Sequence, residues 1–217
     1  EQFRLPIDPA SRSFSVQGPA LQCSENGNLL SVQSSRVAFV FDKSTGLVTS
    51  YKVKGTEYFH EGFGIQPNFW RAPNDNDYGS QMPKRLQIWK QSSKNFNVVD
   101  ASLTMDGKDA VLKVSYLLAA GNLYIATYRI HPSGVVKANY TFTSTEMEAA
   151  KTEASEATLM ATFTPGNEAI RKESSKLVVP RIGVRFRLPA EMEQVTYFGR
   201  GPEENYCDRN NGTLVGE

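Results

Sequence analysis

Apolar and polar residues alternate with a period of two along most of the chain, most plainly from Leu123 to Thr143. Tyr124, Ala126, Tyr128 and Ile130 form one set against Leu123, Ile125, Thr127 and Arg129. His131-Pro132-Ser133-Gly134 then turns the chain, and Val136, Ala138, Tyr140 and Phe142 share a face on the return. This pattern predicts a β-hairpin with one buried face. A second hairpin is expected from Val37–Phe41 and Leu47–Tyr51, where Gly46 supplies the positive φ of the turn. A third joins Val98–Thr104 to Val111–Leu118 around Asp106-Gly107. Further strands are expected at Thr158–Thr164, Leu177–Leu188 and Gln194–Phe198. One short helix is predicted, with Ser80 as N-cap, Pro83 near its first turn and Leu86 and Trp89 on one face before Ser92-Ser93. Glu146–Glu156 is rich in helix formers but has no apolar stripe, so it reads as a solvated connection. Many short strands with frequent turn signals and little helix point to an all-β, antiparallel sandwich.

Composition narrows the partners. The chain has 217 residues, 24 Lys+Arg against 23 Asp+Glu, and a net charge of +1, so nothing draws it to nucleic acid or to an anionic membrane. No apolar run approaches the roughly 18–20 residues of a membrane-spanning helix, and a soluble chain is expected. It opens at Glu1 in a polar, proline-containing stretch that resembles an interdomain connection. Residues 1–20 are therefore expected to be a linker or a first strand, and 21–217 the sandwich, within a piece of a longer protein. Cys23 and Cys207 lie far apart without metal-ligand spacing and read as free thiols.

Candidate chemistry is sparse. His60 and His131 are the only histidines, and no GxSxG, HExxH or phosphate-binding glycine loop is present, which argues against nucleophilic and zinc chemistry. His60, between Phe59 and Glu61, reads as a packed or surface residue. Two segments stand apart from the alternation. The first, Pro67 to Gly79, sets Phe69, Trp70 and Arg71 before the run Asn74-Asp75-Asn76-Asp77. Aromatic faces beside amides and carboxylates suit sugar recognition, because the ring covers the C–H face while the polar groups meet the hydroxyls. The plainer alternative has the Asn and Asp side chains capping their own turn, Arg71 paired with Asp75 or Asp77, and Trp70 in the core. A calcium loop fits poorly, since Gly79 occupies a ligand position and no Glu follows at the required spacing. The second segment, Tyr197 to Arg209, holds Gly199-Arg200-Gly201-Pro202, a stiff turn before Glu203, Glu204, Asn205, Tyr206, Asp208 and Arg209. In an extended stretch Glu203 and Glu204 point to opposite faces, whereas the carboxylates of a retaining glycosidase share one bond at about 5–5.5 Å. A structural turn closed by an Arg–carboxylate pair is the reading for this stretch.

Phe69 to Gly79 and Gly199 to Arg209 resemble, in order and spacing, two signatures of the C-terminal small-chain domain of bacterial glycoside hydrolase family 2 β-galactosidases. Thr127-Tyr128-Arg129-Ile130 with Ser133-Gly134, and Arg181-Ile182-Gly183, resemble it between them. The resemblance implies a galactose-mutarotase-like β-supersandwich, one domain of an enzyme that hydrolyses terminal non-reducing β-D-galactosides with retention. It places the catalytic glutamates, and the magnesium and sodium ligands of the full-length enzyme, mainly in other domains, above all a TIM barrel. This chain is then expected to hold no catalytic residue, metal or cofactor, and to act by shaping the active-site rim and supporting assembly, with a homo-oligomer as one form of the whole. Trp70, Arg71, Asn74, Asp75, Asn76, Asp77 and Gly79 become substrate-rim candidates, with Gly79 as a hinge. Gly199, Gly201, Pro202, Glu204, Asn205, Tyr206, Asp208 and Arg209 become a structural turn. Cys207 stands where the family commonly has proline, which weakens the stiffness of that turn. The chain stops soon after the second signature, so a truncated sandwich with exposed edges and a tendency to self-associate is expected. An autonomous carbohydrate-binding module is the competing reading. A mutarotase-like epimerase is the third, and it lacks the positioned acid and base that such chemistry needs. Bacterial cytoplasm and periplasm both stay open as compartments.

Overall fold

The computed structural model describes residues 18–143, 179–194, 196, 199–200 and 215–216. The expected strand Thr158–Thr164, the connection Glu146–Glu156, most of Gln194–Phe198, Cys207 and the turn residues from Gly201 to Arg209 lie outside the described residues. Chain contacts divide residues 17–188 from a second unit that includes 189–217. Within that second unit, β12 (Gly199–Arg200) pairs antiparallel with β13 (Val215–Gly216).

The larger unit is built on two antiparallel sheets. One has the order β1 (Gln22–Asn26), β2 (Leu29–Gln33), β3 (Val37–Asp42), β4 (Leu47–Val53) and β5 (Thr56–Glu57). The other is β10 (Val136–Thr143), β9 (Leu123–Ile130), β8 (Asp109–Leu118) and β7 (Phe96–Asp106). All three expected hairpins are present. Inside Leu177–Leu188, a short strand β11 (Gly183–Arg185) pairs with β6 (Gln66–Asn68). Gln22–Asn26 carries no alternation signal, being polar and exposed along most of its length, whereas Leu29–Gln33 alternates with Leu30 and Val32 inward.

Alternation sets the core. Leu112, Val114 and Tyr116 of β8 lie opposite Tyr128, Ala126 and Tyr124 of β9, and all six are buried. Val32, Phe39, Phe41 and Val48 of the other sheet belong to the same buried cluster. Phe39 meets Tyr128 with ring centroids 5.8 Å apart, and Tyr116 Oη donates to the Gly46 carbonyl at 3.1 Å. The Tyr51 hydroxyl likewise donates to the Gly134 carbonyl. These contacts make the pair of sheets a sandwich rather than two separate layers.

Two bulges invert the phase of the alternation. Thr49 is skipped where Val40 pairs with Ser50 and Phe41 with Val48, so Val48 and then Tyr51 and Val53 turn inward. Val99 is skipped between Val98 and Asp100, so Phe96 and Val98 and then Ala101 and Leu103 turn inward, while Val99 is exposed. The return strand of the first hairpin is less covered than its pattern implies. Val136, Tyr140 and Phe142 are half-buried, but Ala138 is exposed because β10 lies at the edge of its sheet.

The helical segment corrects the expectation of a single helix capped by Ser80. Three short helices are present: α1 (Asp75–Gly79), α2 (Met82–Arg85) and α3 (Gln87–Ser92), besides a 3-10 turn at His60–Gly62. Ser80 ends α1 instead of starting a helix, its N–H bonded to the Asn76 carbonyl at 2.9 Å. Gln81 then takes a left-handed conformation, φ 57°, which breaks the helical path before Pro83 enters the first turn of α2. Leu86 and Trp89 are buried as their spacing predicts. No helix among the described residues is long and apolar enough to cross a membrane.

Candidate functional site

The site is built outward from an aromatic floor. Phe69 follows β6 directly and is fully buried, 5.3 Å from Tyr124 edge to face, 6.0 Å from Trp89 and 5.9 Å from Phe142. Its backbone N–H donates to Ser93 Oγ at 2.7 Å, and that hydroxyl donates to the Trp89 carbonyl at 2.9 Å. Ser92 Oγ accepts from the Ala120 N–H at 3.1 Å. The Ser92-Ser93 pair thus docks α3 against both the Phe69 segment and the loop after β8. Arg185 of β11 adds a third tie, one guanidinium nitrogen donating to Gln66 Oε1 at 3.1 Å and to the Ser93 carbonyl at 3.0 Å. Chain positions on either side of Phe69 are consequently fixed.

On that floor, the Asn/Asp run folds into the N-terminus of α1. Asn74 is extended (φ −101°, ψ −177°), and its side-chain oxygen accepts from the Asp77 N–H at 3.0 Å. Asp77 reciprocates, its carboxylate accepting from the Asn74 N–H at 2.9 Å, which completes a capping box. The same carboxylate takes both arms of Arg71: Nη2 to Oδ1 at 2.8 Å and Nη1 to Oδ2 at 2.5 Å. Asp77 is buried, and the Arg71 guanidinium, helped by the Asn74 N–H, holds its carboxyl below the usual aspartate range. The plain alternative for this segment is therefore correct in part: Asn74 and Asp77 cap their own turn, and Arg71 pairs with Asp77, not Asp75. Two positively directed arms and one backbone N–H leave the Asp77 carboxylate committed to the protein.

The remaining candidates divide by exposure. Asp75 and Asn76 are exposed, and among the described residues their side chains make no hydrogen bond or ion pair. Gly79 lies in the last turn of α1, exposed, with nothing within 4 Å of where a Cβ would stand. Trp70 is half-buried against the core, and Lys90 Nζ sits 5.8 Å from its ring centroid. Tyr78, given no role from sequence, is 63% exposed on α1. Its signal was present as an aromatic one step past a capping box. Arg85, also unassigned, donates from Nε to the Ser80 carbonyl at 2.9 Å and joins α2 to the end of α1. Gly199 lies in β12; the other residues assigned to the second motif fall outside the described residues.

The two histidines stand apart from this segment. His60 is exposed beside Glu61, and His131 Nδ1 lies 2.7 Å from Ser133 Oγ inside the β9–β10 turn. No three His, Cys, Asp or Glu side chains converge as a metal site among the described residues. Cys23 is a free thiol whose Sγ lies 3.4 Å from Met105 Sδ, and burial pushes its pKa up.

A family model described as "Beta galactosidase small chain" matches residues 33–217. A β-galactosidase from Priestia megaterium is 32% identical over 99% of this chain, and one from Lactococcus lactis is 30% identical over 89% of it. A β-galactosidase small subunit from Latilactobacillus sakei is 25% identical over 82% of the chain. The chain spans 18% of the length of the first two proteins and 54% of the small subunit. With the match extending over both signature segments and most of the chain between and around them, this chain belongs to the β-galactosidase small-chain family.

Proposed function

We propose that this chain is a non-catalytic part of a larger β-galactosidase of the glycoside hydrolase family 2 type, which hydrolyses terminal non-reducing β-D-galactosides with retention. The observation that carries the reading is the segment 69–80. A buried aromatic floor and a capping box hold a short helix in place, while Asp75 and Asn76 remain exposed, with no side-chain bond to any described residue. Such groups can accept from and donate to sugar hydroxyls without first breaking an internal bond. Catalysis through acid, base or nucleophile is assigned to the rest of the enzyme. Magnesium and sodium are likewise assigned there by the family resemblance alone.

An autonomous sugar-binding module centred on Trp70 would need its face free, and Trp70 offers a poor one. Its ring is half-buried and carries the Lys90 ammonium nearby. A rim segment of a composite site needs no such platform. The reading is tested in the full-length enzyme by Asp75→Ala and Asn76→Ala. Loss of a polar substrate contact lowers kcat/KM by roughly tenfold with the thermal transition unchanged. Wild-type kinetics in both variants would reduce the segment to a structural turn.

A further inference from the structure

Arg71 and Asp77 carry more organisation than a surface ion pair requires. The Asp77 side chain, 12% exposed, accepts from both guanidinium arms and at the same time accepts the Asn74 N–H that opens α1. Asn74 in turn spends its side-chain oxygen on the Asp77 N–H. Both carboxylate oxygens of Asp77 and the side-chain oxygen of Asn74 are thus engaged within this knot. The residues between and beside them are the opposite. Asp75 and Asn76 sit between the two members of the capping box, exposed and unbonded among the described residues, and Tyr78 follows Asp77 with most of its surface open.

We propose that Arg71 and Asp77 are positioning residues of the β-galactosidase reaction, a two-armed brace that fixes the orientation of α1 so that Asp75, Asn76 and Tyr78 present one preformed polar and aromatic face to the outer part of the bound galactoside. This rests on the rim reading above and changes the role of Arg71, Asn74 and Asp77 within it, from substrate contacts to supports. A five-residue helix is too short to hold its own shape in water. Its geometry is borrowed from the brace and from the floor beneath Phe69. The fork of Arg71 fixes both the distance and the plane of the Asp77 carboxylate, which a lysine, a point charge on a flexible stem, does not do.

The brace predicts a specific kinetic pattern in the full-length enzyme. Arg71→Gln and Asp77→Asn each raise KM for a chromogenic β-galactoside about tenfold with little change in kcat, because contacts made alike in ground and transition state are lost. The double variant is no worse than the poorer single, since both act through one frame. Arg71→Lys keeps the charge, loses the fork and falls between wild type and Arg71→Gln. A merely structural role would lower the amount of folded enzyme, and hence apparent kcat, with KM unmoved, and that result overturns the proposal. Additive losses in the double variant also overturn it, since they mean independent substrate contacts. If the singles fail to fold, Arg71→Lys and Asp77→Glu carry the test, with the same KM criterion. Failure of the parent reading is recognised separately: Asp75→Ala, Asn76→Ala and Tyr78→Ala would then all keep wild-type KM. If those three raise KM while the Arg71 and Asp77 variants do not, the rim reading survives and the brace is refuted.

Discussion

The β8–β9 hairpin and the segment from Phe69 to Ser80 hold their shapes by different means. In the hairpin, Leu112, Val114 and Tyr116 face Tyr128, Ala126 and Tyr124 across an unbroken ladder, so each residue is fixed by burial and by its cross-strand partner. In the segment, only Phe69 and Asp77 are buried between residues 69 and 80, and shape comes from side chains bonding to backbone and to one another. The first design tolerates changes on its outer face. The second leaves most of its surface open for other uses but concentrates its stability in a few bonds. That division fits a domain whose sheets provide a frame and whose irregular segment is presented by it.

The comparison can be broken most severely at the frame. Gly64 passes so close to β4 that a Cβ would stand 1.6 Å from the Val48 carbonyl oxygen, a backbone atom that cannot yield. Gly64→Ala is expected to destabilise by on the order of 3 kcal/mol or more, read as a lower denaturation midpoint. Trp89→Ala empties the space against Phe69 and Phe142 and is expected to cost about 3–5 kcal/mol, with the α3 amides losing exchange protection first. If the floor mattered little to the rim, those amides would stay protected.

Smaller changes sharpen the contrast. Ser93→Ala leaves the buried Phe69 N–H without its acceptor and is expected to cost about 1–3 kcal/mol, while Ser102→Ala, exposed on β7, is expected to change stability by less than about 0.5 kcal/mol. Acid should separate the two regions without mutation. Because the folded Asp77 carboxyl is held below its ordinary value, its contribution is fully present above about pH 4 and is lost as pH falls through the lowered pKa. Amide exchange at 75–79 should accelerate there, relative to the intrinsic rate, before that of β8 and β9. Equal loss of protection in both regions would deny the Asp77 brace its separate role.

Sequence periodicity was a good guide where burial decides structure, and a poor one where hydrogen bonds do. The three hairpins were legible because Tyr124, Ala126, Tyr128 and Ile130 and their counterparts repeat at every second position. Thr49 and Val99 were not readable as bulges, since an extra residue leaves composition unchanged and only shifts the phase. The helices of the 75–92 segment were misdivided for a related reason. Ser80 is a good cap by residue type, but Asn74 and Asp77, three positions apart, form the reciprocal cap and start the helix earlier. The motif from Phe69 to Gly79 was legible as a segment apart from the strand alternation, whereas the split between the braced Arg71, Asn74 and Asp77 and the open Asp75, Asn76 and Tyr78 depends on three-dimensional partners. Sequence spacing alone left Arg71 equally able to reach Asp75 and Asp77.

The most direct test of the central claim is hydrolysis of a chromogenic β-galactoside by the purified 217-residue chain, at high protein concentration and with magnesium present. A supporting rim domain gives no turnover above the uncatalysed rate. Turnover that co-purifies with this chain, in a preparation free of full-length enzyme, would place catalytic carboxylates within it and contradict the account.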